Sequence, residues 1–321
     1  MILHAGTIMP FTVAVLIPLY NEEKNAAVIS EAINNIFKTV LNADYRILFV
    51  DDGSTDATLS AIKELAAADD KISYISFSKN FGKEAALLAG FQHIPLNIDA
   101  VITIDADMQH PPSLIPTLIN QWQEGFDIVY TFREKSNDHV SYFSQFTSKM
   151  FYWVMSKLAD VELENGIADF KIFDKKVLAT IKEMKEDAPF FRGLFKWVGY
   201  KQLGIPYVVE PRLNGETKYP TKALIKLALH NITSFSTKPL TMAIYVGFFT
   251  SLIAILYIPY VMFSLYNGKA ISGWASIIAT IAFFGGVQLI VLGIIGLYLG
   301  KIFMQSKQRP RYIVNEIKES F

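Results

Sequence analysis

Two hydrophobic patterns divide this chain. Through roughly its first third, short apolar runs at residues 13–18, 46–50, 72–77 and 100–104 alternate with segments at 22–41, 56–68 and 83–93 that read as helices. The runs predict strands. Ser54 or Asp56 is the candidate N-cap of the second helix. A strand–helix–strand order predicts an α/β fold with a parallel sheet, and ligands of such sheets collect at the carboxyl ends of the strands.

Beyond Pro239 the pattern changes. Residues 242–265 and 274–299 are predominantly apolar and contain no Asp, Glu, Lys or Arg. Each exceeds the ~20 residues that a helix needs to cross ~30 Å of hydrocarbon, so together they predict a membrane-spanning helical hairpin. Its link carries one basic residue, Lys269, whereas Lys222, Lys226 and Lys238 precede it and Lys301, Lys307, Arg309 and Arg311 follow. By the positive-inside rule both ends, and so the N-terminal domain, face the cytoplasm; the expected location is the inner (cytoplasmic) membrane. The expected organisation is a cytoplasmic domain over 1–220, an amphipathic interface helix and linker over 221–238, the hairpin over 239–301 and a basic cytoplasmic tail over 302–321. Residues 142–158 and 221–235 mix apolar side chains with Lys149, Lys157, Lys222, Lys226 and His230, as in helices lying in a headgroup layer or in ordinary helices packed on a sheet. In the second span Gly285, Gly286, Gly293, Gly296 and Gly300 form a small-residue face that permits close helix packing, either within the hairpin or between subunits; a homo-oligomer is the expectation.

Composition agrees with this division. Of 321 residues 51% are hydrophobic, and the mean hydropathy of +0.28 reflects the apolar stretches. Thirty basic residues balance thirty acidic ones, so global charge offers no argument for nucleic-acid binding. The absence of cysteine fits a cytoplasmic site. Residues 1–11 are too short and lack the basic start of a signal peptide.

The candidate chemistry lies at the predicted strand ends. The apolar run 101–104 leads into Asp105-Ala106-Asp107, and residues i and i+2 of an extended segment point the same way, so both carboxylates can face one hard cation. An isolated pair of this kind is more often an acidic turn. Here it has company: the first strand runs into Pro18-Leu19-Tyr20-Asn21-Glu22-Glu23 and the second into Asp51-Asp52-Gly53-Ser54-Thr55-Asp56. An acidic edge repels a nucleotide phosphate unless a divalent cation intervenes, which makes the metal and the anionic ligand one hypothesis. No Gly-x-Gly-x-x-Gly follows the first strand, which argues against a dinucleotide-binding dehydrogenase. Gly82-Lys83 is not a phosphate loop, because Phe77 stands at the first glycine position and Glu84 where Ser or Thr belongs.

These strings, with Asn80-Phe81-Gly82-Lys83-Glu84-Ala85-Ala86, Asp105-Ala106-Asp107-Met108-Gln109-His110-Pro111-Pro112, Asp169-Phe170-Lys171, Phe191-Arg192-Gly193-Leu194 and Gly215-Glu216-Thr217-Lys218-Tyr219, resemble a membrane-bound family-two glycosyltransferase of the polyprenyl-phosphate sugar transferase group. The resemblance implies a Rossmann-like GT-A nucleotide-binding domain. It implies that Pro18, Leu19, Tyr20, Asn21 and Glu22 line the nucleotide, that Asp51 and Asp52 lie near its base and ribose, and that Lys83 and Ala106 belong to the same site. Asp105, Asp107 and Gln109 then surround Mg²⁺ or Mn²⁺, and Asp169 is a catalytic base or an orienting group. Arg133, Arg212 and Lys218 are candidates to guide the acceptor phosphate, with Arg133 and Arg212 also carried over as catalytic. His110, Ala168, Lys171 and Val209 depart from the residues that relatives often carry. The expected reaction moves a hexose, glucose as first guess, from a nucleoside-diphosphate sugar, UDP-glucose as first guess, to polyprenyl (undecaprenyl) phosphate. The rival readings are a processive polysaccharide synthase, which normally carries Gln-x-x-Arg-Trp where Gln202 is followed by Leu203-Gly204-Ile205-Pro206, and a lipid-linked sugar translocase component.

Overall fold

The computed structural model describes residues 10–133, 166–184, 190–208, 237–267 and 273–319. They fall into two compact units, one holding the described residues up to 208 together with 309–319, the other holding 237–267 and 273–308.

The first unit is built on β1 (Phe11–Leu19), α1 (Asn25–Phe37), β2 (Ala43–Asp51), α2 (Thr58–Ala68), β3 (Ile72–Phe77), α3 (Lys83–His93) and β4 (Ala100–Thr103). A short 3₁₀ turn at Pro112–Leu114 leads into α4 (Ile115–Gln123) and β5 (Ile128–Arg133). Then come β6 (Ile167–Asp174), α5 (Lys175–Glu183), α6 (Phe191–Trp197) and β7 (Gln202–Tyr207). After the second unit the chain returns as β8 (Val314–Lys318). The strands form one sheet in the order β7-β5-β6-β4-β1-β2-β3-β8.

β3, β2, β1 and β4 are parallel, as the alternating pattern predicts. Their residues are buried on both faces by helices, which is why they read as continuous apolar runs. Val13, Val15, Ile17, Ile47 and Phe49 pack with Ile29 and Ile33 of α1 and Ile62 of α2. Each such side chain contributes about 1.5–3 kcal/mol by leaving water. The expected N-cap does not hold: Ala57 occupies that position without a side-chain cap, while Asp56 accepts from the Thr58 backbone N–H at 3.0 Å from one residue before it and Ser54 Oγ accepts from the Asn21 N–H.

The sheet is mixed rather than wholly parallel. β6 inserts antiparallel between β4 and β5, and β8 pairs antiparallel with β3. Neither strand follows from the strand–helix alternation, because each arrives after a long excursion of the chain.

In the second unit α7 (Lys238–Tyr266) and α8 (Trp274–Ser306) are the two expected apolar helices, each long and apolar enough to cross a membrane. Their large side chains are turned outward, with Phe248 62% and Ile281 67% exposed, the reverse of a core helix. A Cβ built on any of the five α8 glycines meets nothing within 4 Å, so their small-residue face is open. Two expectations change here. α8 continues past residue 301 to Ser306, and 314–318 is a strand of the first unit's sheet rather than a free basic tail. Residues 142–158 and 221–235 lie outside the described residues.

Candidate active site

The turns after β1 and β2 are laced together. Asn21, with a left-handed backbone (φ 55°), accepts at Oδ1 from the Thr55 N–H at 2.8 Å while its own N–H donates to Ser54 Oγ at 2.9 Å. The Glu22 N–H donates to Thr58 Oγ1 at 2.8 Å, and Glu22 Oε2 accepts from Asn25 Nδ2. Asn21 and Glu22 therefore hold the rim in shape. Of the expected nucleotide-lining residues Leu19 is buried at 2% exposure, and Tyr20, at 45%, presents an open ring. Pro18 is half-buried and Ala106 belongs to the apolar core.

Asp51 and Asp52 form the floor. Asp51 accepts from the Ser54 N–H at 3.1 Å and from Ser76 Oγ at 2.7 Å. Asp52 accepts from the Phe81 and Gly82 N–H groups at 2.7 and 2.9 Å, which ties the end of β2 to the loop before α3. Burial pushes the Asp52 carboxyl up, and those two N–H groups oppose the shift. Both side chains are almost fully covered by the protein, so they act as floor more than as rim. Gly53 follows at φ +66°, and a Cβ there would lie 2.3 Å from the Lys79 carbonyl carbon. That neighbour is backbone and cannot swing aside. Gly53→Ala is expected to destabilise the protein by at least about 2 kcal/mol, visible as a lowered Tm in a thermal melt.

A charged cluster lies across the β4–β6 pairing. The antiparallel register sets Thr103 opposite Lys171, so Asp105, two residues beyond Thr103, and Asp169, two before Lys171, come to the same end of the sheet. Lys83, at the first position of α3, bridges them: its Nζ is 2.5 Å from Asp105 Oδ1 and 2.7 Å from Asp169 Oδ2. Arg192 of α6 grips Asp169 with two prongs, Nε to Oδ1 and Nη2 to Oδ2, both 2.8 Å. Burial alone would raise the Asp169 pKa, but Lys83 and Arg192 outweigh it and hold the carboxyl well below its ordinary value. Burial likewise disfavours the charge on Lys83, yet Asp105 and Asp169 keep its ammonium above the ordinary lysine value. Lys171 lies buried over the Phe195 ring, 4.3 Å from its centroid, and burial pushes its pKa down to about 8. Glu84 accepts from the Phe191 N–H, and burial first, then Asp169, push it up to about 7.

Asp107 sits beside this cluster, accepting from the Gln109 N–H at 3.2 Å across Met108, whose φ is 58°. Asp105, Asp107 and Gln109 offer oxygen donors only, the set that suits a hard divalent cation. The Lys83 ammonium already occupies a cation's place on Asp105. No group of three or more His, Asp or Glu side chains that could hold a metal occurs among the described residues. The donors thus fit an ion held by one or two carboxylates and completed by substrate phosphates, not a closed protein cage. His110 is buried against Phe170 and Tyr207, its Nδ1 3.7 Å from Asp105 Oδ2 and without a hydrogen-bond partner. Burial lowers its pKa and keeps the ring neutral near pH 7. Burial also raises Tyr207, against the pull of the neighbouring Arg133 guanidinium, which sets Arg133 on this side of the site.

The structure therefore brings together Lys83, Asp105, Asp107 and Asp169, with Arg133 nearby; Arg212 and Lys218 lie outside the described residues. Sequence reasoning assigned no role to Arg192, Glu84 or the buried Lys171. Phe191-Arg192-Gly193-Leu194 marks the string, but nothing along it shows that the arginine closes on a carboxylate 23 positions earlier.

A Rossmann-like sheet gathers paired carboxylates and a bound lysine at its strand ends, the place where ligands of such sheets collect. The glycosyl transferase family 2 domain matches residues 14–181, and the chain belongs to that family. It is 40% identical over 307 residues to an uncharacterized glycosyltransferase, YkcC, of Bacillus subtilis (strain 168), covering 94% of this chain and 93% of the relative. It is 37% identical over 309 residues to the bactoprenol glucosyl transferase of Shigella phage SfV, covering 96% and 99%. Among solved structures, a mannosyltransferase from Pyrobaculum calidifontis in complex with GDP-Man and Mn²⁺ aligns over 94% of this chain and 87% of its own, at 15% identity and a TM-score of 0.47. The protein is a glycosyltransferase with a GT-A sheet and two helices long and apolar enough to span a membrane.

Proposed function

We propose that this enzyme transfers glucose from UDP-glucose to a polyprenyl phosphate, undecaprenyl phosphate in the first instance, at the cytoplasmic face of the inner membrane. The observation that carries the proposal is similarity across both units: the relatives called bactoprenol glucosyl transferase match 95–96% of this chain, apolar helices included, and 97–99% of their own length. A lipid acceptor gives those helices a purpose.

In this reading the acceptor phosphate oxygen attacks the anomeric carbon, a new carbon–oxygen bond forms, and the bond to the nucleoside diphosphate breaks. Asp105 and Asp107, with Gln109, would hold Mg²⁺ or Mn²⁺ against the diphosphate, where the ion supplies charge neutralisation for the leaving group. Lys83 lies on the same carboxylate and reinforces that role as a fixed positive charge. Tyr20 offers an aromatic face at the nucleotide rim, with Asp51 and Asp52 shaping the floor beneath it. Arg133, and from outside the described residues Arg212 and Lys218, would guide the acceptor phosphate.

Asp169 is proposed as an orienting group. A carboxylate gripped by Arg192 and Lys83, and held well below its ordinary pKa, is a poor proton acceptor. The acceptor needs little deprotonation, since a phosphate monoester with a second pKa near ~6 is mostly dianionic at neutral pH.

The test is transfer of label from UDP-glucose, UDP-galactose, GDP-mannose and UDP-N-acetylglucosamine to added undecaprenyl phosphate, followed by extraction into organic solvent. UDP-glucose is expected to label the lipid fraction, and only when Mg²⁺ or Mn²⁺ is present. Label from another donor alone would replace the sugar, and label in a water-insoluble polymer would replace the acceptor.

A further inference from the structure

The segment that follows α8 makes contacts that converge on the floor of the nucleotide site. Its strand β8 pairs with the outer edge of β3, setting Ser76 opposite Glu316 and Phe77 opposite Val314, with a bulge between Ser76 and Phe77. Glu316 anchors the strand through Tyr74 Oη at 2.7 Å and Lys63 Nζ at 2.5 Å, and Lys318 Nζ donates to the Ala66 carbonyl. These contacts cover an exposed sheet edge. Tyr312 does something else. It precedes the strand, and its ring stacks on Phe77 with centroids 4.9 Å apart and planes 16° apart. Phe77 in turn meets the Phe81 ring edge-on at 5.8 Å. The Ser78 N–H donates to the Ile313 carbonyl at 3.0 Å, and Tyr312 Oη donates to Gln92 Oε1 of α3 at 2.6 Å.

The segments that Tyr312 and Ile313 touch, around Phe77 and Ser78 and on α3, also carry residues bound into the site. Ser76, beside Phe77, donates to Asp51. Phe81 and Gly82 donate to Asp52. α3, held by Gln92, begins with Lys83 on Asp105 and Asp169. We infer that Tyr312 is a positioning residue for the donor nucleotide: from the far end of the chain it locks the 77–83 segment so that Asp51, Asp52 and Lys83 keep the spacing the nucleotide needs. This rests on the proposed donor site and adds a residue to it that lies 206 positions beyond the GT-A carboxylates' midpoint residue, Ala106, and outside the family-matched span of 14–181.

The experiment uses the full chain in detergent and measures UDP affinity calorimetrically alongside donor and acceptor kinetics. Tyr312→Ala loses both a ring stack and a hydrogen bond, and is expected to weaken UDP binding and raise the donor KM about tenfold, with kcat and the acceptor KM unchanged. Tyr312→Phe keeps the stack and should restore most of that loss. Tyr312→Leu, which keeps apolar bulk without a ring, serves if the alanine variant fails to fold and should fall between them. Lys318→Ala, at the far end of β8, loosens the edge cover alone and is expected to lower Tm without moving the donor KM. Unchanged UDP affinity in both Tyr312→Ala and Tyr312→Leu would overturn the inference, as would an equal KM effect in Lys318→Ala. Failure of the unaltered protein to bind UDP or GDP at all would instead remove the donor-site reading beneath it.

Discussion

Asp107→Asn is expected to reduce sugar transfer by about 10²- to 10³-fold while leaving the melting curve close to that of the unaltered protein. The amide keeps the shape of the side chain and removes the charge that a divalent cation needs. Asp107 is only half-buried at a turn, and the contact of its Oδ1 with the Gln109 N–H can be made equally well by an amide oxygen. Its loss therefore falls on chemistry more than on folding. Mn²⁺ binding followed by electron paramagnetic resonance in the presence of UDP should weaken in parallel with activity. Near-normal turnover at saturating metal would sink the metal role of this residue. Asp105→Asn makes a contrasting companion, because it also strips Lys83 of one of its two carboxylate partners. A variant at 105 should thus lose stability as well as rate.

The parallel core was legible in the sequence because its strands are buried on both faces and β1, β2 and β3 each lead through a short turn into a helix, so β3 and α3 match their expected limits of 72–77 and 83–93. The acidic strand ends were legible because they recur: one carboxylate after a strand is usually a cap or turn, whereas acidic turns at several strand ends point to a shared site. What the sequence left hidden depends on long-range pairing. β6 carries Asp169 into the sheet between β4 and β5, and the antiparallel register there brings Asp169 to Asp105. Periodicity describes a strand's faces, not its neighbour. Arg192 and Glu84 were hidden likewise, since neither a long-range ion pair nor a long-range hydrogen bond leaves a mark on composition. The basic end of the chain was read as a tail from its charges alone. Its strand alternates half-buried and exposed positions, a weak signal beside the strong apolar helix before it. The family match ends at residue 181, so the tail's place in the sheet is a finding of the structure and not of the comparison.

Asp169→Asn should produce the largest combined loss of stability and rate. The substitution leaves Lys83, Arg192 and the buried Lys171 facing one another with their shared counter-ion gone. Removing one partner of a fully buried pair costs about 3–5 kcal/mol; Lys83 and Arg192 are partly exposed and Lys83 keeps Asp105, so the loss is smaller than that but still a clear fall in Tm at neutral pH. The same interaction fixes how stability responds to acid. In the unfolded chain Asp169 takes up a proton near its ordinary value of about 3.9, whereas in the folded protein Arg192 and Lys83 keep it charged to well below that. The unfolded state therefore binds the extra proton first. The contribution is present in full above the ordinary value and is lost as pH falls towards the folded one. The difference in Tm between the unaltered protein and Asp169→Asn should consequently narrow as pH is lowered below about 4. Turnover separates the two roles considered for this residue. If Asp169 orients its neighbours, the rate of the variant falls by the same factor at every pH from mildly acidic to mildly alkaline. A carboxylate acting as general base would instead take an ionisation limb with it when replaced, and a profile of that kind would return Asp169 to the role that the sequence resemblance implies.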